Sequence, residues 1–122
     1  MTIRLTLYTS TRCPKCPLSR KVVRDVCKEI GGTEGKDFVE KIIDGKDLSP
    51  GPIVLEGEKF NIVRYPEQIN SENVPALIGC DDFSIEALMH QIASTPSIVI
   101  DDVPRFISRV PTREELLKAL GR

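Results

Sequence analysis

The chain opens on alternation. Ile3, Leu5 and Leu7 are apolar and Arg4, Thr6 and Tyr8 separate them, the period of a strand with unlike faces. Ser10-Thr11 supplies loop chemistry ahead of Cys13. From Pro14 the period lengthens: Leu18, Val22, Val23, Val26, Cys27 and Ile30 recur at helical spacing, with Arg20, Lys21, Arg24 and Lys28 off that stripe as a solvated basic face. Pro14 suits the first helical position, where a missing N–H costs nothing, and Pro17 is tolerated only near that same first turn. The helix should end at Gly31-Gly32.

Phe38 to Ile43 reads as a second strand. The stretch from Asp44 to Asn73 is rich in Gly, Pro and charge and has no helical period, but two β-prone runs flank Glu56-Gly57-Glu58-Lys59 and predict a hairpin. Val74 to Ile78 is another short apolar run, and either it or Phe38 to Ile43 could be the central strand. Ile85, Leu88, Met89 and Ile92 predict a second helix, with Asp82 or Ser84 as N-cap. Ser97 to Ile100 predicts a strand buried on both faces, Asp101-Asp102 a turn, and Phe106-Ile107 the start of a returning strand. Thr112-Arg113-Glu114-Glu115 fits a capping box, Leu116, Leu117 and Leu120 an apolar side, and Gly121 a stop, so a third helix closes the chain.

The order is strand, helix, strand, helix, strand, strand, helix with an inserted hairpin segment at about 44–73: one α/β domain over residues 1–122. Seventeen basic against eighteen acidic residues, with no basic block, argue against nucleic acid. No stretch has membrane-spanning length and the first residues do not resemble a secretion signal, so a cytoplasmic monomer is expected.

In a reducing compartment, Cys13-Pro14-Lys15-Cys16 points to redox chemistry or a metal rather than a permanent staple. A tetrahedral metal site needs four N or S ligands, and Cys27, Cys80 and His90 offer no second close pair, so no metal is expected. Wound into a helix start, the two motif cysteines come within the roughly 4.4–6.8 Å that a disulfide requires. The positive end of the helix, with Arg12 and Lys15, favours thiolate. Cys13, ahead of the helix, is the expected nucleophile, and Cys16, a turn further in, the resolving thiol. Cys27 lies on the apolar stripe as a structural thiol, and Cys80, beside Asp81 and Asp82, reads as a loop residue still open to glutathionylation. His90 is expected at the surface of the second helix.

A strand, Cys-Pro-x-Cys at a helix start, and Thr95-Pro96 entering an apolar strand resemble the thioredoxin fold, and within it the small thioredoxin/glutaredoxin-like oxidoreductases. The likeness covers residues 2–43 and 84–121. It implies a thiol–disulfide oxidoreductase without a resident cofactor, reducing disulfide-containing proteins and itself reduced by a reductase or a small thiol; Pro after the first Cys looks like the glutaredoxin motif and brings in glutathione as an electron donor. It further implies a cis peptide at Thr95-Pro96 beside the dithiol, with Arg12, Pro14, Lys15, Thr95 and Pro96 contacting substrate. Gly79-Cys80-Asp81-Asp82 and Val74-Pro75 look like glutaredoxin elements too, but they precede the second helix, so Thr95-Pro96 is the better match. The alternative is a non-enzymatic module of the same fold that binds a partner protein or a metal.

Overall fold

A computed structural model describes residues 4–10, 14–43, 49–55, 57–70, 72–79 and 95–121. In chain order the elements are β1 (Leu5–Thr9), α1 (Cys16–Glu29), β2 (Phe38–Ile42), β3 (Gly51–Leu55), β4 (Glu58–Val63), a 3₁₀ turn (Pro66–Gln68), β5 (Ala76–Gly79), β6 (Ser97–Ile100), β7 (Val103–Ile107) and α2 (Arg113–Ala119). The predicted helix around Ile85 to Ile92, with Cys80 and His90, lies outside the described residues. No described helix is long and apolar enough to cross a membrane.

The strands form one mixed seven-stranded sheet in the order β3-β4-β5-β2-β1-β6-β7. β4, β5, β2 and β1 run parallel, and the hairpin partners β3 at one edge and β6–β7 at the other supply the antiparallel pairings. Both candidates for the central strand are therefore strands, adjacent through Lys41↔Ile78 and Ile42↔Gly79, and β2 is the middle one. The hairpin around Gly57 is present. It is not a loose appendage, because β4 pairs with β5 over Asn61 to Val63 and shares a buried cluster of Phe60, Ile62 and Leu77 with Ile42 of β2.

β1 departs from its expected two-faced character: all five of its residues are buried. It lies between β2 and β6, so Leu5 and Leu7 enter the cluster under the helices while Tyr8 packs with Val99 on the other face. That larger cluster joins Val23, Val26 and Cys27 of α1 to Ile98, Ile100, Phe106, Leu116 and Leu120. Each of these side chains removes enough apolar surface from water to contribute about 1.5–3 kcal/mol against full exposure.

The local signals of the last third act as their chemistry dictates. Asp101 and Asp102 take φ of 50° and 67°, the left-handed pair that a two-residue hairpin loop needs, and the Asp101 side chain accepts from the Arg4 amide at 2.9 Å. Thr112 accepts from the Glu115 amide at 3.1 Å while the Glu115 carboxylate accepts from the Thr112 amide at 3.1 Å, a complete capping box.

Candidate functional site

The parallel strands send their C-terminal ends to one pole of the sheet, and α1 begins there, after β1. Cys16 is the first residue of α1 and is fully buried. Lys15, exposed, is the N-cap; its side chain makes no capping hydrogen bond, and no acidic residue occupies the first turn. Nothing in the helix's own first turn thus neutralises its positive end. Pro17, not Pro14, occupies the early helical position where the absent N–H is harmless, and Pro14 is exposed one residue ahead of the cap. The difference arises because the turn Pro14-Lys15 is completed before helical hydrogen bonding starts.

Cys13 and Arg12 lie outside the described residues. The remaining expected contacts gather at this pole. Ser10, directly after β1, shares a 3.0 Å hydrogen bond with the Thr95 hydroxyl, which ties the entry of β6 to the exit of β1. Thr95 is half-buried and Pro96 buried. The Thr95-Pro96 peptide is cis, as the resemblance implied, and Val74-Pro75, ahead of β5, is cis as well.

The basic face expected of α1 is only half real. Lys21 and Lys28 are exposed, but Arg20 is 4 % exposed and the Arg24 side chain 14 %. Both reach Glu40, which has no exposed surface in the middle of β2: Arg20 Nε donates to its two oxygens at 3.0 and 2.8 Å, and Arg24 Nη2 to Oε1 at 3.1 Å. Thr9 adds a hydroxyl donor at 2.9 Å. The guanidiniums also stack, Arg20 over Phe60 at 4.7 Å and Arg24 over Phe38 at 5.3 Å from ring centre. Arg24 further pairs with Glu34 and donates to the Ala76 carbonyl at 3.2 Å.

Burial pushes the Glu40 carboxyl above its ordinary value, and the two arginines and the Thr9 hydroxyl oppose that shift without reversing it. Arg20 stands one helical turn after Cys16, so the buried charge cluster begins one turn below the motif. Among the described residues, Arg20 Nη1, Arg24 Nε and Ser19 Oγ are buried without a hydrogen-bond partner.

These charged residues were missed for a reason visible in retrospect. Cys16, Arg20, Val23, Arg24 and Cys27 follow one helical stripe, and Glu40 is the one carboxylate in β2, between Val39 and Lys41. Arginines in register with buried cysteines, opposite a lone strand carboxylate, were the available signal. Cys27 is buried as expected, and burial raises its thiol pKa, with Asp37 and Glu34 adding to the shift. Among the described residues no three His, Cys, Asp or Glu side chains group as a metal would require. Compared with known proteins, the chain matches no family model, no curated protein and no solved structure.

Proposed function

We propose that the protein is a thiol–disulfide oxidoreductase of thioredoxin-like architecture, working through the Cys13–Cys16 dithiol. The observation that carries this reading is Cys16: the second thiol of a Cys-x-x-Cys, buried at the first position of a helix that leaves the C-terminal end of an inner strand. Two features support it. The order β2-β1-β6-β7, with β2 parallel and β6 antiparallel to β1, is the arrangement a thioredoxin-like sheet would have, here extended by β5, β4 and β3. Thr95-Pro96 is tied to the same pole through Ser10.

The Cys13 thiolate attacks one sulfur of a substrate disulfide; that S–S bond breaks, the distal sulfur leaves as a thiolate, and a mixed disulfide forms. Cys16, as thiolate, then attacks the Cys13 sulfur, closes the Cys13–Cys16 bond and releases the second substrate thiolate. The substrate gains two electrons and the motif loses two. A reductase or a small thiol such as glutathione returns them. A buried resolving thiol suits this order, because it is shielded from bulk oxidant.

Insulin-disulfide reduction tests the reading. Cys13→Ser should abolish it, and Cys16→Ser should leave a trapped mixed disulfide visible by mass. A redox titration places the couple near about −270 mV if it is thioredoxin-like or near about −200 mV if glutaredoxin-like. Full activity in Cys13→Ser, or one equivalent of zinc that either motif mutation removes, would defeat it.

A further inference from the structure

The other end of α1 carries a cleft that the dithiol does not use. At about 1.5 Å of rise per residue, Cys27 lies about 16 Å along the helix from Cys16. There a depression of about 590 Å³ opens between the last turns of α1, the loop through Gly32 to Glu34, the start of β2 and the residues Ile69, Asn70, Val74 and Pro75 ahead of β5. Its size falls within the range of small-molecule sites.

The lining is apolar on its walls and one-sided in charge. Phe38, Ile69, Val74, Pro75 and Cys27 supply the hydrophobic surface, and Val74 remains 41 % exposed although it is a large apolar side chain. Glu34, the one carboxylate among the described lining residues, has both oxygens hydrogen-bonded: one holds Arg24 and the other accepts the Ala76 amide at 2.9 Å. Arg24 is in turn committed to Glu34 and Glu40. Lys28 is exposed at the rim with no carboxylate at ion-pair distance among the described residues. Asn70 adds a donor, because its Oδ1 already accepts from the amides of Glu72 and Asn73 at 2.8 and 3.1 Å, leaving Nδ2 for another acceptor.

We infer that this cleft binds a small amphipathic anion: an aromatic ring or short hydrocarbon chain against Ile69, Val74 and Pro75, with one carboxylate or sulfonate toward Lys28 and Asn70. A cation is disfavoured because it would meet the unpaired charge of Lys28, and a purely apolar molecule would gain nothing from Lys28 or Asn70. The Cys27 thiol, held protonated by burial, contributes shape and no bond-making. The inference is independent of the dithiol chemistry.

The test uses wild-type protein and three probes of one shape: 1-naphthoate, naphthalene and 1-naphthylmethylammonium, titrated by amide NMR. Saturable shifts confined to Gly32, Thr33, Ile69, Asn70 and Val74 are expected with naphthoate, with the other two at least about fivefold weaker. Lys28→Glu should remove the preference for the anion, and Val74→Asp should weaken all three probes. Because both positions are exposed, unchanged thermal unfolding should show that both variants fold. Equal affinity for the three probes, shifts elsewhere on the surface, or an anion preference that survives Lys28→Glu would overturn the inference.

Discussion

Glu40 is a carboxylate with no contact with water, and its three donors come from two different elements, Arg20 and Arg24 of α1 and Thr9 of β1. Truncation would leave the buried Arg20 without its carboxylate and Arg24 with Glu34 alone, so Glu40→Ala should cost about 3–5 kcal/mol in urea denaturation. Glu40→Gln separates charge from shape. The folded carboxyl titrates above its ordinary 4.5, so the native state holds the proton more tightly than the unfolded chain. Its stabilising contribution is then complete below about pH 4.5 and is lost as pH rises through the folded-state value. Wild type should lose ground against Glu40→Gln across that rise, read as converging or crossing unfolding free energies in a pH series. A gain with pH would mean that the ionised carboxylate is the favoured form, and that the arginines outweigh burial.

At the scale of the element, α2 is too short to hold a helix by propensity, and it relies on Leu116 in the core and on its capping box. Thr112→Ala removes the acceptor for the Glu115 amide and should cost about 1 kcal/mol, measured as a shift in the urea midpoint, with Thr112→Ser close to neutral. Such devices were legible because they are local: the capping box, the Asp101-Asp102 turn and the Gly57 hairpin each lie within a few consecutive residues. α1 was legible in existence and in the burial of Val23, Val26 and Cys27, but it starts at Cys16 and not Pro14, Leu18 of the expected stripe is exposed, and its buried side also takes in Arg20. Arg20 looks like a surface residue until Glu40, twenty positions on, is known to stand opposite it. The same holds for the site: Cys16 could be read from spacing, whereas the Ser10–Thr95 tie spans 85 positions and has no signature in either segment.

For the molecule as a whole, the question is whether β3–β4 is an ornament on a smaller sheet or part of the fold. Pairing answers in favour of the second. β5 is bonded to β2 on one side and β4 on the other, so β4 covers an edge that would otherwise lie open, and it carries Phe60, onto which Arg20 stacks. Parallel neighbours separated by long connections leave no trace in periodicity, which is why the hairpin was visible while its docking was not. The two strands of the hairpin should respond differently to mutation. Ile62, 2 % exposed among Ile42, Phe60 and Leu77, should cost about 2–5 kcal/mol as Ile62→Ala, and the loss should appear in the global unfolding transition followed by far-UV circular dichroism. Val54, 62 % exposed on the outer strand β3, should change stability by no more than about 0.5 kcal/mol as Val54→Ala. An ornamental hairpin would instead melt in a separate early transition on Ile62→Ala and leave the midpoint of the main one in place. A single shifted transition would make the pole that carries Cys16 and the strands remote from it one cooperative unit, in which loosening β4 also loosens the Arg20–Glu40 cluster one turn below Cys16.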